Sequence, residues 1–120
     1  MPVIHAGEAV VHEMHGASFT SYAAPARGSQ ELCAWRVEIP GGTEGVAHHV
    51  SREEVLYVLS GTLRAVLGDQ AAEATAGDVV LVPAGSKFRV DNPAAEPATA
   101  GVGLTAVLPD GSRITPPWAG

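Results

Sequence analysis

Between Glu31 and Ile39 the sequence ELCAWRVEI alternates, with Cys33, Trp35, Val37 and Ile39 on one face and Arg36 and Glu38 on the other. Period two is the pattern of a strand with one buried face. Pro40-Gly41-Gly42 ends it, because that sequence cannot continue a ladder. Glu54–Leu59 (EVLYVL) is rich in β-branched and aromatic residues and stops at Ser60-Gly61, so residues 63–67 read as its hairpin partner. Gly68-Asp69 predicts a two-residue turn into residues 70–74. Gly77-Asp78 and Pro83-Ala84-Gly85 bracket a strand over 79–82. Another covers 88–90 before Asn92-Pro93, and the last covers 101–108 before Asp110-Gly111. A helix through residues 70–76 is the one rival, and it would be an isolated turn or two. Short strands at near-regular spacing with turn signals between them predict an all-β fold, an antiparallel sandwich or barrel.

Composition agrees. Gly and Pro number 14 and 9 in 120 residues, which leaves little room for long helices, and a hydrophobic fraction of 46% is enough for a real core. The length suits one domain, with a core over about 30–110, an N-terminal strand region in 1–29 and a tail over 111–120. The formal charge of −6 argues against nucleic acid, whose binders need a basic face. Arg36, Arg52, Arg64 and Arg89 read as solvated surface charges. The single cysteine, Cys33, cannot form an internal disulfide and reads as a small core residue. No apolar run approaches the length of a membrane span and no leader pattern is visible, so the expectation is a soluble, cytoplasmic protein.

Two spaced motifs carry a resemblance. Gly42, His48, Val50, Glu54 and Gly61 stand at the spacing G-x5-H-x-H-x3-E-x6-G, with Val50 at the second His position. Gly77, Pro83, Gly85, Phe88 and Asn92 stand at G-x5-P-x-G-x2-H-x3-N, with Phe88 at the His position. The chain resembles the small single-domain cupins, and the two motifs span Gly42 to Asn92. The resemblance implies a single antiparallel β-barrel of the double-stranded β-helix, or jelly-roll, type. In that family H-x-H places two imidazoles on one face of a strand. A carboxylate and a third imidazole complete a site for Mn, Fe, Ni, Cu or Zn with positions left open for substrate.

Here only His48 and Glu54 remain of those four ligands. An alternative register from Gly41 uses His49 with Glu54 and again keeps one His. Neighbouring strand residues face opposite ways, so His48 and His49 cannot both point inward without a bulge. The first register needs no insertion and is preferred. Two protein ligands are few against the three or four of ordinary sites. The cofactor expectation is therefore none, or a weakly held divalent metal.

Without metal, His48 and Glu54 form a candidate acid–base pair. Burial raises a carboxyl pKa and a neighbouring imidazolium lowers it, so the two could share a proton near neutrality. Isomerisation, dehydration or cyclisation of a small polar metabolite would suit such a pair. Trp35, Val50, Leu56, Val58 and Phe88 are the candidate pocket wall. His12-x-x-His15 reads as exposed polar surface, although either residue could supply a ligand if the first strand covers the barrel mouth. Trp118, after Thr115-Pro116-Pro117, reads as an aromatic anchor on the barrel or on a second subunit.

Three function classes follow. One is a small-molecule binder or metal-independent enzyme using His48 and Glu54. The second is a metal-dependent dioxygenase or isomerase with a further ligand, and the third a non-catalytic protein acting through its surface. A homodimer is expected, since exposed edge strands need a cover.

Overall fold

A computed structural model describes residues 3–113; the tail tryptophan, Trp118, lies outside them. Among the described residues ten strands form: β1 (Val10–Met14), β2 (Ala17–Ala23), β3 (Leu32–Ile39), β4 (His48–His49), β5 (Glu54–Ser60), β6 (Thr62–Leu67), β7 (Gln70–Thr75), β8 (Val79–Val82), β9 (Lys87–Asp91) and β10 (Ala98–Thr105). Among the described residues helix is confined to two single 3-10 turns, at Ala6–Glu8 and Pro25–Arg27. No described helix is long and apolar enough to cross a membrane.

All pairings between the strands are antiparallel, in two sheets ordered β1-β2-β3-β10-β5-β8 and β4-β9-β6-β7. This is the all-β jelly roll that the strand pattern predicts. The sheets face each other without closing: β7 and β8 are both edges. The reason is local. The Gly68-Asp69 turn sets Leu67 opposite Gln70 and folds β7 back on β6. The Gly77-Asp78 turn then passes the chain to the other sheet, where Gly77 N–H donates to Val58 O and Val58 N–H donates to Asp78 O.

The alternation in β3 is realised: Cys33, Trp35, Val37 and Ile39 are buried while Arg36 and Glu38 face out. Burial pushes the Cys33 thiol pKa up, which keeps it neutral in the core. The last strand runs over Ala98–Thr105 instead of 101–108; its register with β3 ends at Thr105 opposite Leu32, and one further bond in the same register runs from Ala106 N–H to Glu31 O. Gln70–Thr75 is strand and Ala76 begins the following turn, so the helical rival is excluded.

The N-terminal region contributes a whole hairpin. Met14 pairs with Ala17 across His15-Gly16, whose φ values of 54° and 77° are both positive, as a type I′ turn requires. Of the arginines, Arg89 pairs with Asp91 (2.9 Å) and Glu44 (3.3 Å), and Arg36 is exposed on β3.

Asn92, from the second motif, is a structural pin. It is fully buried, its Nδ2 donates to Ile39 O (3.0 Å) and Glu96 O (2.7 Å), and its Oδ1 accepts from Ala94 N–H (3.1 Å). Asn92→Ala strands those backbone groups and is expected to cost about 2 kcal/mol. Urea denaturation measures this; an unchanged midpoint would show that water replaces the pin.

Candidate functional site

The inner faces of the two sheets leave a cavity of ≈ 80 Å³. Its walls are Trp35, Val37 and Ile39 from β3, Leu56 from β5, Val102 from β10 and Phe88 and Val90 from β9, with Ala17 and Phe19 from the N-terminal hairpin. Period two explains the set, since β3 presents every second residue to this space. Polar groups are few: His15, Thr43, His48 and Glu54. His15 and Val46 are exposed at the rim, His48 is half-buried, and Glu54 is buried at the start of β5.

Burial pushes the Glu54 carboxyl up to about 7 from an ordinary 4.5, because the charged form loses water in an apolar surround. Both forms of the acid are therefore populated near neutrality. His48 stands on β4 directly opposite Phe88 on β9. The two rings meet edge-on, with centroids 6.1 Å apart and planes at 69°. His48 Nδ1 lies 3.2 Å from Val46 O. A carbonyl only accepts, so in the neutral ring Nδ1 carries the proton and Nε2 is the basic nitrogen.

The candidate residues thus divide. His48, Glu54, Trp35, Leu56 and Phe88 all border the cavity. Val50 and Val58 do not: both are buried, but they pack in the core away from the cavity wall. His49 is exposed, as the neighbour of an inward residue on a strand must be. His12 lies mid-strand on β1 opposite Phe19, whereas His15 reaches the cavity rim because the hairpin turn sits over it. Val37 and Ile39 were missed as wall residues although the alternation that marks Trp35 marks them too. Thr43, Gly45 and Val46 come from a loop, where no periodicity announces direction.

Gly45 shows how tightly that loop is seated. A Cβ there would meet Val90 O at 2.1 Å, and its N–H donates to Asp91 Oδ1 at 2.9 Å. Only glycine admits this approach of backbone to backbone.

The sequence profile of the cupin domain matches residues 35–105, more than half of the chain. The chain belongs to the cupin family. Solved structures agree on the fold of this cupin. The polyketide cyclase RemF from Streptomyces resistomycificus is 16% identical with a TM-score of 0.77, covering 88% of this chain and 79% of that one. An RmlC-like cupin from Shewanella frigidimarina is 19% identical with a TM-score of 0.73, covering 88% and 91%. A predicted oxalate decarboxylase from Thermotoga maritima is 16% identical with a TM-score of 0.75, covering 87% and 98%. No curated protein matches this cupin significantly by sequence.

The metal set of the family does not fit the side chains of this cupin. Val50 and Phe88 hold two of the four ligand positions and offer no donor atom. His15 borders the same cavity as His48 and Glu54, yet among the described residues no three His, Cys, Asp or Glu side chains gather as a metal site.

Proposed function

We propose that this cupin binds a small, mainly hydrocarbon molecule carrying one carbonyl or hydroxyl group, and moves a proton on it with Glu54 and His48. The observation that carries the reading is a buried carboxyl with a pKa of about 7 in a cavity whose walls are otherwise nearly all apolar. Such walls favour a less polar ligand than the family motifs alone suggest, and a single acid fixes its orientation.

In its neutral form Glu54 donates to the ligand oxygen. The oxygen then tolerates developing negative charge, and a proton on the adjacent carbon becomes acidic. His48 Nε2, set as the basic nitrogen by the Nδ1 contact to Val46 O, accepts that proton. In a β,γ-unsaturated ketone, return of the proton at the γ-carbon moves the double bond into conjugation and completes an isomerisation.

Exchange of the α-hydrogens of a small apolar ketone in deuterated buffer tests this by NMR. Wild-type protein should catalyse exchange, and Glu54→Gln should lower the rate by about 100-fold, the low end of general acid–base contributions. His48→Ala should lower it as well. Equal rates in wild type and Glu54→Gln would overturn the assignment of Glu54.

A further inference from the structure

The cavity has two polar ends, and the proposed chemistry uses one of them. Its wall crosses the inner face of the six-stranded sheet as a diagonal, from Glu54 on β5 through Val102 on β10, Trp35 on β3 and Phe19 on β2 to His15 at the hairpin tip. The register gives its length. Glu54 lies opposite Leu104, which lies opposite Cys33 on β3. Ser18 lies opposite Glu38, so the His15-Gly16 turn falls beyond Ile39. Cys33 and Ile39 mark levels about 20 Å apart at the ordinary rise of a strand.

The facing wall has the same order. His48 stands opposite Phe88, Gly45 packs on Val90 O, and Thr43 is bridged to Asn92. Thr43 meets the hairpin, since a Cβ on Gly16 would lie 3.6 Å from its Cγ2. The hairpin tip and the 43–46 loop therefore frame the far end, and His15 and Val46 are exposed there. Thr43 turns its hydroxyl to Pro40 O (2.7 Å). A type I′ turn favours Asn, Asp or Gly where His15 stands, so backbone geometry does not account for an imidazole over the cavity.

We infer that His15 is a specificity-determining residue, whose imidazole at the mouth holds a second oxygen of the ligand, remote from the one held by Glu54. The ligand is then an elongated molecule with an oxygen function near each end. This rests on the proposed function, in which Glu54 holds the reacting oxygen. The second group is neutral, because no lysine, arginine or carboxylate other than Glu54 lines the cavity, and Glu44 in the rim loop is paired with Arg89 at 3.3 Å. A hydroxyl suits the site, since imidazole and hydroxyl each give and take a hydrogen bond. A chain of roughly eight carbons spans what the two inward side chains leave of that length.

NMR titration of the labelled protein with two pairs of ketones tests the inference. 2-Octanone and 8-hydroxy-2-octanone form the long pair, and 2-butanone and 4-hydroxy-2-butanone, too short to reach the mouth from Glu54, form the short one. A hydroxyl is costly to move from water into an apolar cavity, so burial alone predicts weaker binding of each hydroxy ketone. Wild type should instead bind 8-hydroxy-2-octanone about tenfold more tightly than 2-octanone, the effect of one well-made hydrogen bond, with no such gain in the short pair. His15→Gly removes the imidazole and still suits the turn, so the gain should vanish while 2-octanone binds as before. The inference is overturned if wild type binds neither long ketone, if it shows no preference for the hydroxy form, or if the preference survives in His15→Gly. Binding requires no proton transfer, so a protein that keeps the preference but fails the α-hydrogen exchange test refutes the proton-moving role alone, and the opposite pair of results refutes the role of His15 alone.

Discussion

Phe88→Ala is expected to destabilise the protein by about 4 kcal/mol, as removal of a well-packed core phenylalanine does. Phe88 is 2% exposed, meets the His48 ring edge-on and forms part of the cavity wall. Two losses add: the transfer of the ring from water to the interior, and the void its removal leaves beside an existing cavity. Collapse around the void is limited, because Phe88 lies on a strand held on both sides, by β4 at His48 and by β6 at Leu67. Urea denaturation should show the midpoint fall with an unchanged slope. Phe88→Leu, which keeps most of the volume, should lose much less. A loss below about 1 kcal/mol in Phe88→Ala would mean that the site relaxes freely, contrary to close packing.

The second large effect is a pH dependence. Glu54 has its folded pKa raised above the unfolded value, from 4.5 to about 7, by burial. The folded protein therefore holds a proton that the unfolded chain releases at lower pH. Its contribution to stability is fully present below pH 4.5 and is lost as pH rises through 7. The shift corresponds to on the order of 3 kcal/mol between the two limits. Glu54→Gln removes the titrating group and keeps the shape. Relative to wild type, the variant should thus be stabilised at pH 8 by about 10 °C more than at pH 4. Thermal melts of both proteins at the two pH values measure this difference. An equal gap at both would place the Glu54 carboxyl in contact with water and remove the basis for its acid–base role.

Why some of this was legible in the chain is clear from single residues. Gly42, Gly61, Gly77 and Gly85 all adopt positive φ, between 77° and 94°. A left-handed backbone at the strand ends is a local demand, so glycine spacing alone reports where strands stop. The β3 alternation is equally local, and it marked the wall of the cavity through Trp35. His48 and Glu54 stood out by their offsets from those glycines. The β1–β2 hairpin did not stand out, because its turn uses His15 where Asn or Asp is usual, and β2 is held by pairing with the distant β3.

Sequence by itself therefore determined the all-β class and the cupin framework, and it singled out His48 and Glu54, which both border the cavity. These rest on the period of the strand and on backbone conformations that few residues tolerate. Only the tertiary structure decided that Val50 and Val58 leave the cavity wall, that His15 reaches its rim and that the two sheets stay open between β7 and β8. It also decided that Glu54 titrates near neutrality. Those outcomes depend on what lies opposite each residue across the sandwich, and that is set by contacts between segments far apart in the chain, where no local pattern reaches.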